Sequence, residues 1–351
     1  MVIYTINGKF FTQNITGVQR HAREMVCELD KTMHNVNIEI LIPRNVENLP
    51  KYKNIKVVRW GWFTGICWEQ ISYPLYLLLK HRVGINFCST PLLKADYAYL
   101  HDVTMQVNPQ YCSKLYSVYS NILAKNVINR AQKLFTVSEF SKDEIRKFYH
   151  VPEKKIEVIG NAWQHMIRLT PDTGIFSKHP EIKMGEYIFS LSSLSPNKNH
   201  QWIIKNALTN PNQQYIIAGG INNAVFGSNN PLTESDSNII YLGYVTDEVA
   251  KALMMNAKAF LFPTFYEGFG IPPLEALSCG TKIIVSSTPC MKEIYGDAAY
   301  YIDPHNPNIN IQELLQNSVS DPEIILEKYS WQKSAERLSA LLEADDMRLH
   351  E

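Results

Sequence analysis

The stretch from Phe262 to Gly280, FPTFYEGFGIPPLEALSCG, combines residue types and spacing suited to chemistry. A buried apolar strand is expected to end near Phe262, followed by a loop carrying Gly268, Phe269 and Gly270. Pro272 and Pro273 then open a helix that closes at Gly280, since proline fits a helix's first turn and glycine the position past its end. Glycines let a loop backbone approach a ligand with no Cβ in the way. A helix start behind such a loop, at Ile271, offers unpaired N–H groups and a positive dipole end, which suit a diphosphate. Glu275 is expected in that first turn, where its carboxylate can accept hydrogen bonds from ribose hydroxyls. Glu267 stands at the other end of the loop, placed to hold a sugar. The plainer alternative is a glycine-rich turn in which Glu275 serves only the helix dipole.

Such residues need a scaffold that sets strand ends beside helix starts. Short β-rich runs alternate with helical patterns along the chain. In the first half they are Val2–Ile6, Ile38–Ile42, Ile55–Val58, Tyr97–Leu100 and Lys133–Val137. In the second half they are Tyr187–Leu191, Tyr215–Ala218, Ile239–Leu242, Ala259–Phe262 and Lys282–Ser286. Residues 17–30 carry Val18, Ala22, Met25, Val26 and Leu29 as one apolar stripe at helical spacing. Ser141 reads as the cap of another helix, with Glu144 completing a capping box. Thr246 opens a third, with Asp247 and Glu248 in its first turn. Apolar strands alternating with helices imply an α/β protein whose parallel sheets are covered on both faces.

A chain of 351 residues suits two domains. Residues 169–186 are polar and non-periodic, with Pro171, Gly174, Pro180 and Gly185, and read as a linker. They separate a domain of 1–168 from one of 187–325, and residues 326–351 read as a C-terminal helix packing back toward the first domain. Two doubly wound, Rossmann-like sheets joined in this way are expected to face each other across a cleft lined by strand carboxyl ends, where open α/β sheets bind ligands.

With 45% apolar and 19% charged residues, the composition excludes a disordered chain. The first apolar run, Val2 to Ile6, is too short for a secretory leader, and the stretch near Pro74 to Leu79 is too short to span a bilayer. Six cysteines at 27, 67, 88, 112, 279 and 290 form no CxxC pair and read as reduced thiols, so a cytoplasmic location is expected. The net charge is zero, yet residues 1–168 hold 22 Lys and Arg against 13 Asp and Glu. That excess suits an anionic membrane surface or a phosphate-bearing substrate; the alternative is two charge-complementary domains.

The two glutamates of EGFGIPPLE, with seven residues between them, resemble the signature of the family 4 retaining glycosyltransferases of GT-B fold. TGVQR at 16–20, HDVT at 101–104, TVSEFS at 136–141, PNKN at 196–199, YLGYVTDE at 241–248 and CMKEIYGDAAYYIDP at 290–304 extend the resemblance in order over essentially the whole chain. It is similar in particular to bacterial polysaccharide-type mannosyl-, rhamnosyl- and hexosyltransferases.

The resemblance implies an acceptor-binding N-terminal domain and a nucleotide-sugar-binding C-terminal one. Lys198 is then expected to neutralise the donor diphosphate, and His101 to lie against the donor sugar with Glu267. Gly17 is expected to bring the N-terminal backbone to the diphosphate or sugar, while Ser193, Asn197, Gly219 and Tyr244 complete the donor site. Arg20, Asp102 and Ser138 are the acceptor-side candidates; each has a plainer reading, as a solvated helix charge, a loop cap and a helix cap. Relatives commonly carry a Gly–Arg pair just before the Pro–Lys segment. Here Ser192 and Ser193 stand there, which throws more of the neutralisation onto Lys198 and backbone amides, with a basic residue from elsewhere, such as Arg20, as the candidate to compensate.

No DxD motif and no histidine spacing typical of a metal site occurs, so no metal cofactor is expected and the nucleotide-diphosphate sugar serves as co-substrate. The same reading expects a glycan or polyprenyl-linked glycan acceptor and no nucleic acid. Residues 59–82 concentrate Trp60, Trp62, Phe63 and Trp68 near Arg59, Lys80 and Arg82, which suits peripheral contact with an anionic membrane at its inner face. The alternative is a core helix with its preceding loop. A sugar-nucleotide epimerase of the same architecture and a non-catalytic sugar-nucleotide-binding module are the rival functions. A dehydrogenase lacks support, because no GxGxxG follows either first strand.

Overall fold

The computed structural model describes residues 2–32, 36–111, 114–220 and 238–350. The chain forms two compact units. The first takes residues 1–103, 118–161 and 330–351, and the second takes 104–117 and 162–329.

The first unit is built on seven parallel strands: β1 (Ile3–Asn7), β2 (Asn37–Ile42), β3 (Lys56–Arg59), β4 (Val83–Asn86), β5 (Tyr97–Tyr99), β6 (Lys133–Thr136) and β7 (Ile156–Val158). Their order is β3-β2-β1-β4-β5-β6-β7, so the winding reverses between β1 and β4. The second unit repeats the scheme with β8 (Tyr187–Leu191), β9 (Gln214–Ala218), β10 (Ile239–Gly243), β11 (Ala259–Phe262), β12 (Ile283–Ser286) and β13 (Tyr300–Ile302). Its order is β10-β9-β8-β11-β12-β13, with the reversal between β8 and β11. Every strand pair in both sheets is parallel, as strands that read as continuous apolar runs require.

Helix Gly17–Thr32 follows β1 and buries Ala22, Met25, Val26 and Leu29. The last helix, Trp331–His350, belongs to this unit and packs along it. Tyr4 donates its hydroxyl to the Leu342 carbonyl at 3.0 Å, and Tyr97 donates to Asp345 at 2.9 Å. In the second unit Thr246 caps helix Asp247–Met255 by accepting from the Val249 N–H.

Three expectations change. The division falls at Asn161 rather than at 168, and residues 169–186 are packed into the second unit. That segment holds the short helix Gly174–Lys178, buries Ile175 and Ile182, and donates from Gly185 N–H to the Asn256 carbonyl at 2.8 Å. Its prolines and glycines mask two apolar anchors. The helix expected to start at Ser141 spans Glu139–Tyr149, and its cap is Ser138, which accepts from the Ser141 N–H. The expected alternation omits strands β4, β7 and β13; in β4, a Cβ at Gly84 would meet Leu77 Cδ1 at 2.8 Å, so the helix packs directly onto the strand backbone there. Cys112 lies outside the described residues, and none of the other five cysteines is in a disulfide.

The 59–82 segment splits by face. Trp68, Tyr73, Tyr76 and Leu77 are buried against Leu41, whereas Trp62 is 79% exposed and Phe63, Ile66, Leu78 and Leu79 also face outward. No helix among the described residues is long and apolar enough to cross a membrane.

Candidate functional site

The reversal point of the second sheet gathers most of the donor-side candidates. Because β8 pairs with β11, the loops leaving their carboxyl ends lie side by side. The β8 loop carries Ser193 and the 3-10 turn Pro196–Lys198; the β11 loop carries Glu267 to Gly270. Phe265 N–H donates to the Asn197 carbonyl at 2.8 Å, and Asn197 Nδ2 donates to the Tyr266 carbonyl at 3.3 Å. Ser195 Oγ donates to Asn197 Oδ1 at 2.7 Å and holds that amide in place. The result is a fixed bridge that sets Lys198 Nζ 2.6 Å from Glu267 Oε1 and 5.2 Å above the Phe262 ring.

Gly270 then ends the loop at φ +85° and precedes helix Ile271–Ser278. A side chain there would be strained and its Cβ would meet Met291 Cε at 2.9 Å, so glycine is required. Phe269 is buried edge-on against Tyr329. The backbone amides at the helix start are thereby held rigidly next to the Lys198–Glu267 pair, a combination suited to a phosphate group.

Glu275 differs from expectation. The helix begins at Ile271, so Glu275 sits in its second turn and is buried. His165 Nε2 donates to its Oε1 at 2.7 Å. His165 is a residue the sequence did not disclose, since its partner is 110 positions away. Gly219 lies at φ +145° with its would-be Cβ only 1.7 Å from the Ser192 carbonyl oxygen, so β9 presses its end against the β8 loop. Leu194 N–H donates to the Gly220 carbonyl, and Gly219 N–H to the Gly243 carbonyl, which brings 192–194, 219–220 and 243 together. Tyr244 beside them is 71% exposed.

The first unit has its own cluster at the β1–β4 reversal. Asn7 Nδ2 donates to Glu69 and to Asn86, and Lys9 Nζ reaches Glu69 Oε2 at 2.8 Å with both partners buried. None of these four residues stood out in the sequence. His101 follows β5, and its Nε2 donates to the Phe87 carbonyl at 2.7 Å. Burial lowers its pKa from the ordinary histidine value, opposed by that carbonyl and by Asp102. His21 packs edge-on against His101 with ring centroids 5.0 Å apart, and Nδ1 donates to Asn161 at 2.8 Å. Burial holds His21 well below the ordinary value, so the pair is neutral at pH 7.

Gly17 opens helix Gly17–Thr32 and is exposed, and Arg20 is half-buried one turn on. Ser138 is 1% exposed and serves as a helix cap, which removes it from the acceptor-side candidates. Among the described residues, no group of three or more His, Cys, Asp or Glu is placed to hold a metal ion.

Residues 172–350 match the family described as glycosyl transferases group 1, and residues 97–163 match glycosyltransferase family 4. The chain belongs to the glycosyl transferases group 1 family. This glycosyltransferase is 26% identical over 289 residues to the O-antigen chain mannosyltransferase RfbU of Salmonella typhimurium, covering 82% of this chain and 78% of the relative. Its fold is GT-B. It superposes on sucrose-phosphate synthase from Thermosynechococcus elongatus with a TM-score of 0.72 at 12% identity, over 99% of this chain and 100% of that one. The Anabaena protein HepE, solved in complex with UDP-glucose, gives a TM-score of 0.66 at 14% identity, over 98% and 100% of the two chains.

Proposed function

We propose that this glycosyltransferase moves a hexosyl group from a nucleotide-diphosphate sugar to a glycan or polyprenyl-linked glycan, with retention at the anomeric carbon and without a metal, in surface polysaccharide synthesis. The observation that carries this reading is the Lys198–Glu267 pair at 2.6 Å beside the start of helix Ile271–Ser278. A cation and rigid backbone amides at one point stabilise the negative charge that grows on a departing diphosphate. Glu267 is then positioned for sugar hydroxyls, and Glu275, oriented by His165, for the ribose. His101 is neutral through burial, so its part is a hydrogen bond rather than a charge. The acceptor attacks from the face the diphosphate leaves, and the departing phosphate oxygen takes its proton. The relative's role as an O-antigen chain mannosyltransferase favours a polysaccharide acceptor.

Peripheral membrane contact at the inner face belongs to the same reading. Trp62, Phe63, Ile66, Leu78 and Leu79 are exposed in a segment that also carries Arg59, Lys80 and Arg82. A thermal-shift panel of nucleoside diphosphates and their sugars tests the donor assignment, because a ligand at a hundred times its Kd stabilises by about 2.7 kcal/mol. No shift with any nucleotide sugar overturns it. The anomeric configuration of the product, read by NMR, tests retention, and a trapped glycosyl–Glu267 adduct overturns the front-face step.

A further inference from the structure

Arg23, in the second turn of helix Gly17–Thr32, is a half-buried cation without a counter-charge. Other cations of the first unit are answered: Lys9 meets Glu69 at 2.8 Å, and Arg82 meets Glu39 at 3.2 Å. Among the described residues no ion pair or hydrogen bond engages Arg23. The groups that act most on its charge are Tyr52, Arg20 and Cys88, and no carboxylate is among them. Its guanidinium carbon lies 5.0 Å from the centre of the Phe11 ring, which holds the group in place without neutralising it. Of its three side-chain nitrogens only Nε is closed off, so the two-pronged amino end is the part left for a ligand.

The fold puts this end of Arg23 where a ligand is expected. Helix Gly17–Thr32 starts on the carboxyl side of β1, and helical side chains lean toward the helix N-terminus, so Arg23 reaches back toward that side. Phe11 belongs to the 3-10 turn Gly8–Thr12 that leaves β1, and Cys88 lies two residues past the end of β4. The winding of the first sheet reverses between these two strands, and open α/β sheets bind ligands outside the carboxyl ends at such a reversal. Cys88 is close to the Lys9–Glu69 pair as well as to Arg23. The charges of Lys9 and Glu69 offset each other, whereas that of Arg23 has no such counterpart.

This chemistry selects an anion. Burial pulls the Arg23 pKa below the ordinary arginine value, opposed by Tyr52 and reinforced by the like charge of Arg20, yet a guanidinium stays protonated at neutral pH. Taking a cation partly out of water beside a second cation is unfavourable unless an anion shares the place. A guanidinium held against a ring offers a planar fork of N–H donors, which matches two oxygens of one phosphate. A metal ion is repelled there, and a neutral hydroxyl leaves the charge unanswered.

We propose that Arg23 is an anion-binding residue of the first unit and takes a phosphate group carried by the acceptor. The proposal rests on the glycosyltransferase reading for the identity of the acceptor, but the binding event is measurable apart from transfer. The phosphate comes either from a polyprenyl diphosphate or from a soluble phosphosugar, and the two are separated by experiment.

The test is calorimetry on the full chain with geranyl diphosphate, mannose 1-phosphate, geraniol and mannose, each with saturating UDP or GDP to compete for any phosphate site around Lys198. Arg23→Gln removes the charge, Arg23→Lys keeps the charge without the fork, and Phe11→Leu keeps the arginine and removes its ring; circular dichroism verifies folding. At least one phosphate probe is expected to bind, to weaken about tenfold or more in Arg23→Gln, and to weaken less in Arg23→Lys. Should Arg23→Gln fail to fold, a severalfold loss in Phe11→Leu supports the site and wild-type affinity in it overturns the site. Binding of geranyl diphosphate alone supports it with a lipid-linked source, and binding of mannose 1-phosphate alone supports it with a soluble one. No binding of either phosphate, equal binding of geraniol or mannose, or wild-type affinity in Arg23→Gln overturns it. Failure of nucleotide sugars to shift the melting curve while Arg23-dependent phosphate binding persists overturns the transferase reading alone. Donor binding with no phosphate binding overturns only this site.

Discussion

Lys198 Nζ and Glu267 Oε1 stand 2.6 Å apart although 69 residues separate them in the chain. The loops after β8 and β11 bring them together, and the Asn197 hydrogen bonds fix the distance between those loops. In the proposed reaction each group has its own part: a cation for the leaving diphosphate and a carboxylate for the sugar.

Lys198→Ala is expected to lower kcat/KM ten- to hundredfold, about 1.5–3 kcal/mol for a charged hydrogen bond, with the loss expressed in donor affinity. Glu267→Gln keeps the shape and removes the charge, so it is expected to lower kcat more than donor affinity. Steady-state kinetics with titrated donor separate the two; wild-type donor affinity in Lys198→Ala contradicts the assignment.

His165→Ala is expected to weaken nucleoside diphosphate binding about tenfold, because Glu275 loses the donor that orients it. His165→Gln, which keeps an N–H donor, is expected to recover part of that affinity. Calorimetric titration of both variants with nucleoside diphosphate is the measurement. Equal losses in the two point to packing instead.

Gly219→Ala is expected to destabilise the fold by about 3 kcal/mol or more, since its Cβ would lie 1.7 Å from a backbone oxygen that cannot yield. Gly220→Ala, with nothing within 4 Å, is expected to be near neutral. Thermal melts of the pair measure the difference.

Stability is expected to fall as the pH drops from about 6.5 toward 4. The His200 pKa is about 4 in the folded chain against an ordinary 6.5, so the unfolded chain takes up the proton first. The stabilisation is therefore complete above 6.5 and is lost on acidification through this window, by about 3 kcal/mol for His200. His21 and His101 are also lowered by burial and act in the same direction. Denaturant melts at pH 7.5, 5.5 and 4.5 measure the slope, and His200→Asn is expected to flatten it.

Trp62→Ser is expected to reduce flotation with anionic vesicles severalfold, because the 79% exposed indole supplies burial at a bilayer interface without supporting the fold. Equal flotation of variant and wild type assigns the exposed face another role.

Fold class and the glycine- and proline-punctuated loop after β11 were readable from residue order alone. Apolar strands such as Ala259–Phe262 sit between helices whose stripes repeat at 3.6 residues, and that pattern has one economical packing, the parallel sheet covered on both sides. The punctuation of EGFGIPPLE was legible because glycine and proline act through local backbone geometry, as the φ of +85° at Gly270 shows. Tertiary structure decided what depends on pairing over distance. It gave Glu275 the buried partner His165, turned Ser138 from a candidate ligand into a helix cap, and anchored 169–186 through Ile175. It also assembled Asn7, Lys9, Glu69 and Asn86 at the β1–β4 reversal. No local pattern records such contacts, because a side chain's partner is set by which strand ends become neighbours, and strand order is a property of the packed sheet rather than of any segment within it.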